Sequence, residues 1–494
     1  MTQKIARHTT SCYFSDIFGT SASKLERYGA FNISLLTDLP LFIDPFLLFH
    51  SRRKVYRALH NHIIEYLRFL RDKSTSDAVT PGLLRSWYFF SEVQQNWLGF
   101  SASGNKGRGL GREFADALNR NLHDIFSDFG EERITKGSHL EKLCLIKEGV
   151  GRDTISDFTT NLIKGYLLRY TEQFAQTHLK RGQKRRFRVP RARFNFKTQS
   201  WEERSYTLPA YQSGYVLLTP KDILTKDDTW INKHDLISDF ESIPDAIPDD
   251  QLRAQVDNYF RSILPKRPKE RDEARAKAKV YLRFPQLIDY FIKFKEEHGQ
   301  QAARRSKSLV DDSKLLYVDQ FGSLISLLAN QTRFYETGNT TAEEVRQRLT
   351  FLKDVIENKG GHRVFYLKGK PVSNENDLHI LYRLTWFGSR STVTGEANDG
   401  RGPVDFKVSR SSQDITIVEM KLASNSQLKR NLQRQTQIYQ KASDAQTVFK
   451  VVFYFSAQEE KKVNKILKEL KLHDDSRVIT IDARKDNKPS GSKA

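Results

Sequence analysis

The sequence predicts a multidomain α/β protein with an α-rich N-terminal half and middle and a C-terminal α/β unit. Three observations lead there. The chain has 494 residues, 38% of them hydrophobic, which exceeds one ordinary core and suffices for two to four. The first 180 residues carry apolar side chains at helical spacing. The last third alternates between strand and helix periodicity in the order αβββαβαβ.

The elements follow in turn. Leu39–Phe49 is an apolar run broken by Pro40 and Asp44-Pro45, so it is not one helix. Tyr56–Asp72 places Leu59, Ile63, Tyr66 and Leu70 on one helical stripe, and Thr154–His178 does the same with Ile155, Phe158, Leu162 and Tyr166. Arg186–Phe196 alternates and reads as short strands or extended chain. Lys221–Lys307 is charged, with Pro265–Lys269 as a surface linker. Helices resume over Asp272–Glu297 and Val318–Leu352, the latter long or split. The last third reads as helix Glu375–Phe387 and strands Ser391–Glu396, Val404–Ser409 and Ile415–Leu422. Helix Gln427–Ser443, strand Thr447–Phe455, helix Gln458–Leu470 and strand Arg477–Asp482 complete it. The expected divisions are 1–180 α-rich, 181–235 basic and extended, 236–357 charged and helical, 358–482 α/β, and 483–494 a polar tail.

A net charge of +21 implies a polyanionic partner, and nucleic acid fits better than a membrane because no basic amphipathic helix of the interfacial kind stands out. Cys12 and Cys144 are too few for a disulfide framework or a four-cysteine zinc site, and they suit a reducing compartment. No apolar run reaches the roughly 18 residues of a membrane span. The start has no apolar signal core, so the expected location is the cytosol.

The chemistry concentrates in Gly402–Leu422. Asp405 opens one strand, Arg410–Asp414 is a polar turn, and Ile415–Leu422 returns. Alternation puts Glu419 and Lys421 on one face and Val418, Met420 and Leu422 on the other. Charged side chains on an otherwise apolar strand are costly unless paired or metal-bound. Asp405 and Glu419 offer the hard oxygens that Mg²⁺ prefers. Lys421 can position a water or stabilise charge on a phosphoryl group.

This segment resembles the PD-(D/E)XK nuclease superfamily, the restriction-endonuclease-like fold. Pro403-Val404-Asp405 stands for the family's Pro-Asp with Val404 inserted, and Glu419-Met420-Lys421 matches Glu-x-Lys. The αβββαβ order matches the family core. The resemblance covers about 110 of the 494 residues. It implies phosphodiester hydrolysis with Mg²⁺, for which Mn²⁺ substitutes, and metal ligation by Asp405 and Glu419.

Further candidates surround this trio. Leu428, Leu432, Gln435, Tyr439 and Ala442 form one helical stripe, and Gln435 and Tyr439 resemble the family's Gln-x-x-x-Tyr element. Glu375 is the candidate third metal-site acid, with Asp377 and Glu396 as rivals and an ordinary helix-start acid as the bland explanation. Glu396–Pro403 is a glycine-rich loop in which Arg401 can contact phosphate, or it is a plain turn.

Lys180–Lys197 holds nine Lys or Arg and no acid, with Phe187, Phe194 and Phe196 interleaved. Lys184, Arg185, Arg186, Arg188, Arg191 and Arg193 are candidates for phosphate contacts and the phenylalanines for base stacking. Alternatively the stretch is a solvated loop with core phenylalanines. Asp153 and Asp157, four apart, share a helical face that could hold a metal or a partner, but read rather as a helix start with Asp153 or Thr154 as the N-cap, and Asp38 and Asp44 stay open. The expectation is a cytosolic, metal-dependent nuclease acting on DNA before RNA. By analogy alone it is of the bacterial restriction or anti-phage type. Its N-terminal half would recognise substrate, a protein partner or a second copy of the chain. The alternative is a nucleic-acid-binding or regulatory subunit with a weakly active nuclease-like domain.

Overall fold

In the computed structural model the described residues are 12–488, apart from 75–78, 100–110, 112–114, 116–117, 120–131, 147–149, 244–246, 266–267, 332–338, 387–388, 390, 399–402, 412 and 434–444. The apolar run at 39–49 divides as its prolines require. A two-residue strand, Phe42–Ile43, is followed by helix α1 (Pro45–His50), with Asp44 as N-cap accepting from Phe46 N–H at 3.0 Å. Helix α2 (Lys54–Ser74) buries Ile63, Tyr66 and Leu70 of the predicted stripe and half-buries its fourth member, Leu59. Helix α3 (Arg152–His178) is buried on most sides, through Ile155, Phe158, Leu162, Ile163, Leu167 and Phe174. Its N-cap is Gly151, which corrects the expected Asp153 or Thr154; Asp153 lies in the first turn.

Strands β1 (Lys184–Asn195) and β2 (Ser200–Tyr211) form a long antiparallel hairpin packed on α3. Pro285 divides the expected helix 272–297. One helix spans Glu270–Arg283, and α4 (Leu287–Glu297) starts beyond the proline. Helix α5 (Gly299–Ser313) runs into a π-helical stretch, Lys314–Gln320, and then α6 (Phe321–Gln331). The expected helix 318–352 is therefore split. Its second part is α7 (Thr341–Asn358), started by a capping box of Thr340 and Glu343.

The C-terminal unit is a five-stranded mixed sheet between helices. Helix α8 (Glu375–Thr385) precedes strands β3 (Thr392–Asn398), β4 (Pro403–Ser411) and β5 (Asp414–Leu422). Strand β6 (Thr447–Tyr454), helix α9 (Ala457–Glu469) and strand β7 (Val478–Asp482) follow. The sheet order is β7-β6-β5-β4-β3, antiparallel from β3 to β5 and parallel from β5 to β7. Val418, Met420 and Leu422 pair in register with Phe449, Val451 and Phe453, and all six join the core that holds Val345, Leu349 and Leu352 of α7. The opposite face carries Val452 and Tyr454, covered by Leu428, Leu432 and Val463, Ile466 and Leu467 of α9. Helix α7 lies upstream of the expected limit at 358 yet packs on β4, β5 and β7.

A buried charge cluster locks α7 to the sheet. Glu344 accepts from Arg348 at 3.0 Å, Arg410 of β4 at 2.7 Å, and the hydroxyls of Ser389 and Ser391. Among the described residues no helix is long and apolar enough to cross a membrane, and Cys12 and Cys144 are buried free thiols.

Candidate active site

Backbone pairing explains why the carboxylates gather. Strand β4 pairs with β5 from Phe406, opposite Val418, onward, and pairing stops before Asp405. The carboxylate of Asp405 takes over the ladder there: Met420 N–H donates to its Oδ2 at 2.7 Å. Two residues on, Leu422 N–H donates to Oε1 of Glu375, at the start of α8, at 3.1 Å. The splayed end of the hairpin thus uses two acids as backbone acceptors, which satisfies β5 where β4 has left it.

Glu419 and Lys421 lie on one face of β5. The Lys421 ammonium stands 2.8 Å from Asp405 Oδ2, 3.3 Å from Glu419 Oε2 and 3.7 Å from Glu375 Oε2. The Glu419 side chain is 3% exposed, with the Lys421 ammonium 3.3 Å from its Oε2 but poorly directed for a hydrogen bond. Burial, then the Asp405 charge, pushes its carboxyl up to about 8. Burial works the same way on Asp405, but His379 and Lys421 outweigh it and bring that carboxyl down to about 2. For Lys421, burial opposes the charge, while Asp405, Glu419 and Glu375 more than offset it and hold the pKa above the usual lysine value.

Two site residues carry weaker sequence signals. His379 stands one helical turn after Glu375, its Nε2 3.3 Å from Asp405 Oδ2 and its ring edge-on to Phe406. The i,i+4 spacing on α8 is the signal that finds it. Asn425 donates to Glu375 Oε1 at 2.8 Å from the turn after β5, and nothing in its sequence context announces it.

The rivals of Glu375 part ways with it. Asp377 is buried away from the trio, accepting from the Tyr317 hydroxyl at 2.7 Å, with Lys226 at 3.6 Å. Gln435, Tyr439, Arg401 and the side chain of Glu396 lie outside the described residues. Leu428 and Leu432, the first two members of their stripe, are buried.

Among the described residues no group of three His, Cys, Asp or Glu is spaced as a metal shell; the acids instead surround Lys421. Their donor chemistry fits a hard divalent cation, because Glu419 is a buried acid beside a second carboxylate, with the Lys421 ammonium 3.3 Å from Oε2 as counter-charge.

The basic segment is β1, and its side chains divide by role. Lys184 donates to the carbonyls of Ala175, Gln176 and Leu179 and so caps the C-terminus of α3. Arg191 has φ +50°, donates to Phe89 O at 2.9 Å and lies 4.7 Å from the centre of the Trp201 ring. Arg188 pairs with Glu203. Arg185, Arg186 and Arg193 are exposed. Phe194 is buried and Phe196 packs beside it, against Tyr66 and Phe69. Phe187 is half-buried against Tyr215. Phe194 and Phe196 are therefore core residues, as the plainer reading allowed.

Two family models match the chain. One, described as a domain of unknown function (DUF8370), matches residues 20–232. The other, also a domain of unknown function (DUF8371), matches residues 341–457. The second match begins at the first residue of α7 and takes in Glu375, Asp405, Glu419 and Lys421. No curated protein and no solved structure matches.

Proposed function

We propose that the C-terminal unit is a divalent-metal-dependent phosphodiesterase of the PD-(D/E)XK kind that cuts nucleic acid, DNA before RNA. One observation carries this reading. The Lys421 ammonium sits within 3.7 Å of Asp405, Glu419 and Glu375 at the splayed end of a hairpin. An acid beside a second acid and a lysine, all on rigid elements, is a site built for charge rather than for packing.

Asp405 and Glu419, with Glu375 beside them, are the residues that would hold Mg²⁺ or Mn²⁺. Such an ion supplies Lewis acidity and a water of lowered pKa. The chain's own groups do the rest. Asp405 is ionised at neutral pH and offers a fixed anionic oxygen. Lys421 stays protonated and can donate to the phosphoryl oxygens as negative charge grows on them. The backbone bonds from Met420 and Leu422 hold Asp405 and Glu375 in place, so little reorganisation is needed when substrate arrives. The excess positive charge of the chain draws a polyanion toward it.

The test is cleavage by the purified full chain, with Mg²⁺, of duplex DNA, single-stranded DNA and RNA. At least one substrate should be cut, and Asp405→Ala, Glu419→Ala and Lys421→Ala should each abolish cutting. Near-wild-type cleavage by any of the three variants would remove that residue from the machinery. A role in restriction or anti-phage defence is a further proposal, resting only on the analogy of a large recognition region joined to such a domain.

A further inference from the structure

A cleft of about 1030 Å³ opens between the end of α1, the start of α2 and the junction of α4 with α5. Phe49, His50, Arg52, Arg57, Lys136 and Arg304 line it. Ligand pockets usually span about 300–1,000 Å³ and are mostly apolar. This one is as large as the upper limit, and four Lys or Arg residues stand among its lining.

The charges are one-sided. Arg52, Arg57, Lys136 and Arg304 are exposed, and none has a carboxylate partner among the described residues. Of the acids nearby, Asp222 and Glu296 are engaged with other groups. Asp222 is held by Arg53 at 3.1 Å and by the Tyr56 hydroxyl at 2.7 Å. Glu296 is buried and accepts from Lys136 N–H at 2.7 Å, from Gly137 N–H at 3.1 Å, and lies 2.9 Å from His139 Nε2. Glu297 is exposed.

The wall is built rather than loose. Glu296 fixes the turn that carries Lys136. His50 presses on the start of α5 so closely that a Cβ at Gly299 would lie 2.3 Å from its Nδ1 and would displace the ring. Burial first, and then the charges of Lys136 and Arg52, lower the His50 pKa, so the ring adds no charge of its own at neutral pH.

We propose that this cleft binds a small polyphosphorylated ligand of nucleotide size. Four exposed cations around one space, none with a carboxylate partner among the described residues, match several phosphate groups on one molecule. The half-buried Phe49 beside them offers an apolar face to a nucleoside. The site is separate from the Asp405 cluster, and the proposal does not depend on phosphodiesterase activity.

The experiment is titration calorimetry on the full chain in EDTA, with ATP and with tripolyphosphate as probes. Saturable one-to-one binding of either is expected. ATP binding tighter than tripolyphosphate identifies a nucleotide site, and the reverse identifies a plain polyphosphate site. Arg57→Glu combined with Arg304→Glu should weaken binding at least tenfold without moving the melting temperature, since both side chains are exposed. Lys461→Glu combined with Lys465→Glu, exposed on α9, should not weaken it. Three results would overturn the proposal: no saturable binding of either probe, equal weakening by both double variants, or displacement of ATP by a short oligonucleotide at lower concentration than ATP itself. The last would make the cleft a track for a nucleic-acid strand.

Discussion

Glu419→Gln should make the metal-free protein more stable while removing its activity. Glu419 folds into a buried position where Lys421 is poorly directed toward it, and burial with the Asp405 charge raises its carboxyl from 4.5 to about 8. The native state therefore keeps a proton that the unfolded chain has lost between pH 4.5 and 8. Stability linked to this group falls as pH rises through that window and is level above it. At pH 7 the cost is on the order of 3 kcal/mol, from about 1.4 kcal/mol for each pH unit above 4.5. Glutamine keeps the shape, removes the titration and brings a smaller desolvation cost of its own, so a net gain of roughly 1–3 kcal/mol is expected at pH 7. For a unit of this size that is about 2–4 °C in Tm per kcal/mol. The assay is thermal melting of both proteins in EDTA from pH 5 to 8.5. The gap should be near zero at pH 5 and widest above pH 8. Mg²⁺ should then stabilise the wild type more than the variant, by mass action. Parallel pH profiles, or a variant less stable than wild type at pH 8, would refute the reasoning. Glu419 would then be an ionised structural partner of Lys421.

Lys421→Met takes the cation from among three carboxylates and should cost about 3–5 kcal/mol in chemical denaturation, more at pH 8 than at pH 5; a neutral effect would mean the cluster is held by other groups. Glu344→Ala leaves the Arg348 and Arg410 guanidinium groups without their shared carboxylate. A loss of about 3–5 kcal/mol is expected, and a loss below 1 kcal/mol would exclude the cluster as the lock between α7 and the sheet. Arg185→Glu, Arg186→Glu and Arg193→Glu together should weaken nucleic-acid binding and lower the log–log salt slope by about 0.9 per lost phosphate contact on duplex DNA. Lys184→Met should instead reduce stability with the slope unchanged, because its ammonium caps α3.

What the sequence disclosed was periodicity. Helices such as α2 and α3 and strand β5 are long and regular, so apolar spacing located them within a few residues. The face shared by Glu419 and Lys421 follows from alternation alone. Long-range pairing was not legible. Nothing local ties Thr341 to Asp414, or α7 to the sheet, so a limit at 358 leaves out the helix that covers one sheet face. The separation of Glu375 from Asp377 likewise depends on where Tyr317 and Lys226 arrive from distant chain. In β1 the run of cations looked uniform, but the Lys184 ammonium reaches back to the carbonyls ending α3 and Arg191, at a break in the β1–β2 register, turns to Phe89 and Trp201, while Arg185, Arg186 and Arg193 are exposed. His379 was accessible in principle, one turn beyond Glu375.

The central claim is that Asp405, Glu419 and Lys421 form a working phosphodiesterase site. Its most direct test compares wild-type protein and Asp405→Ala at equal concentration, with Mg²⁺ or Mn²⁺ in excess, on circular and linear DNA and on RNA. The account predicts metal-dependent cleavage by the wild type of at least one substrate, stopped by EDTA. Asp405→Ala should be slower by orders of magnitude while its melting curve remains cooperative. No cleavage of any substrate by the wild type with either metal, or equal cleavage by Asp405→Ala, would contradict it.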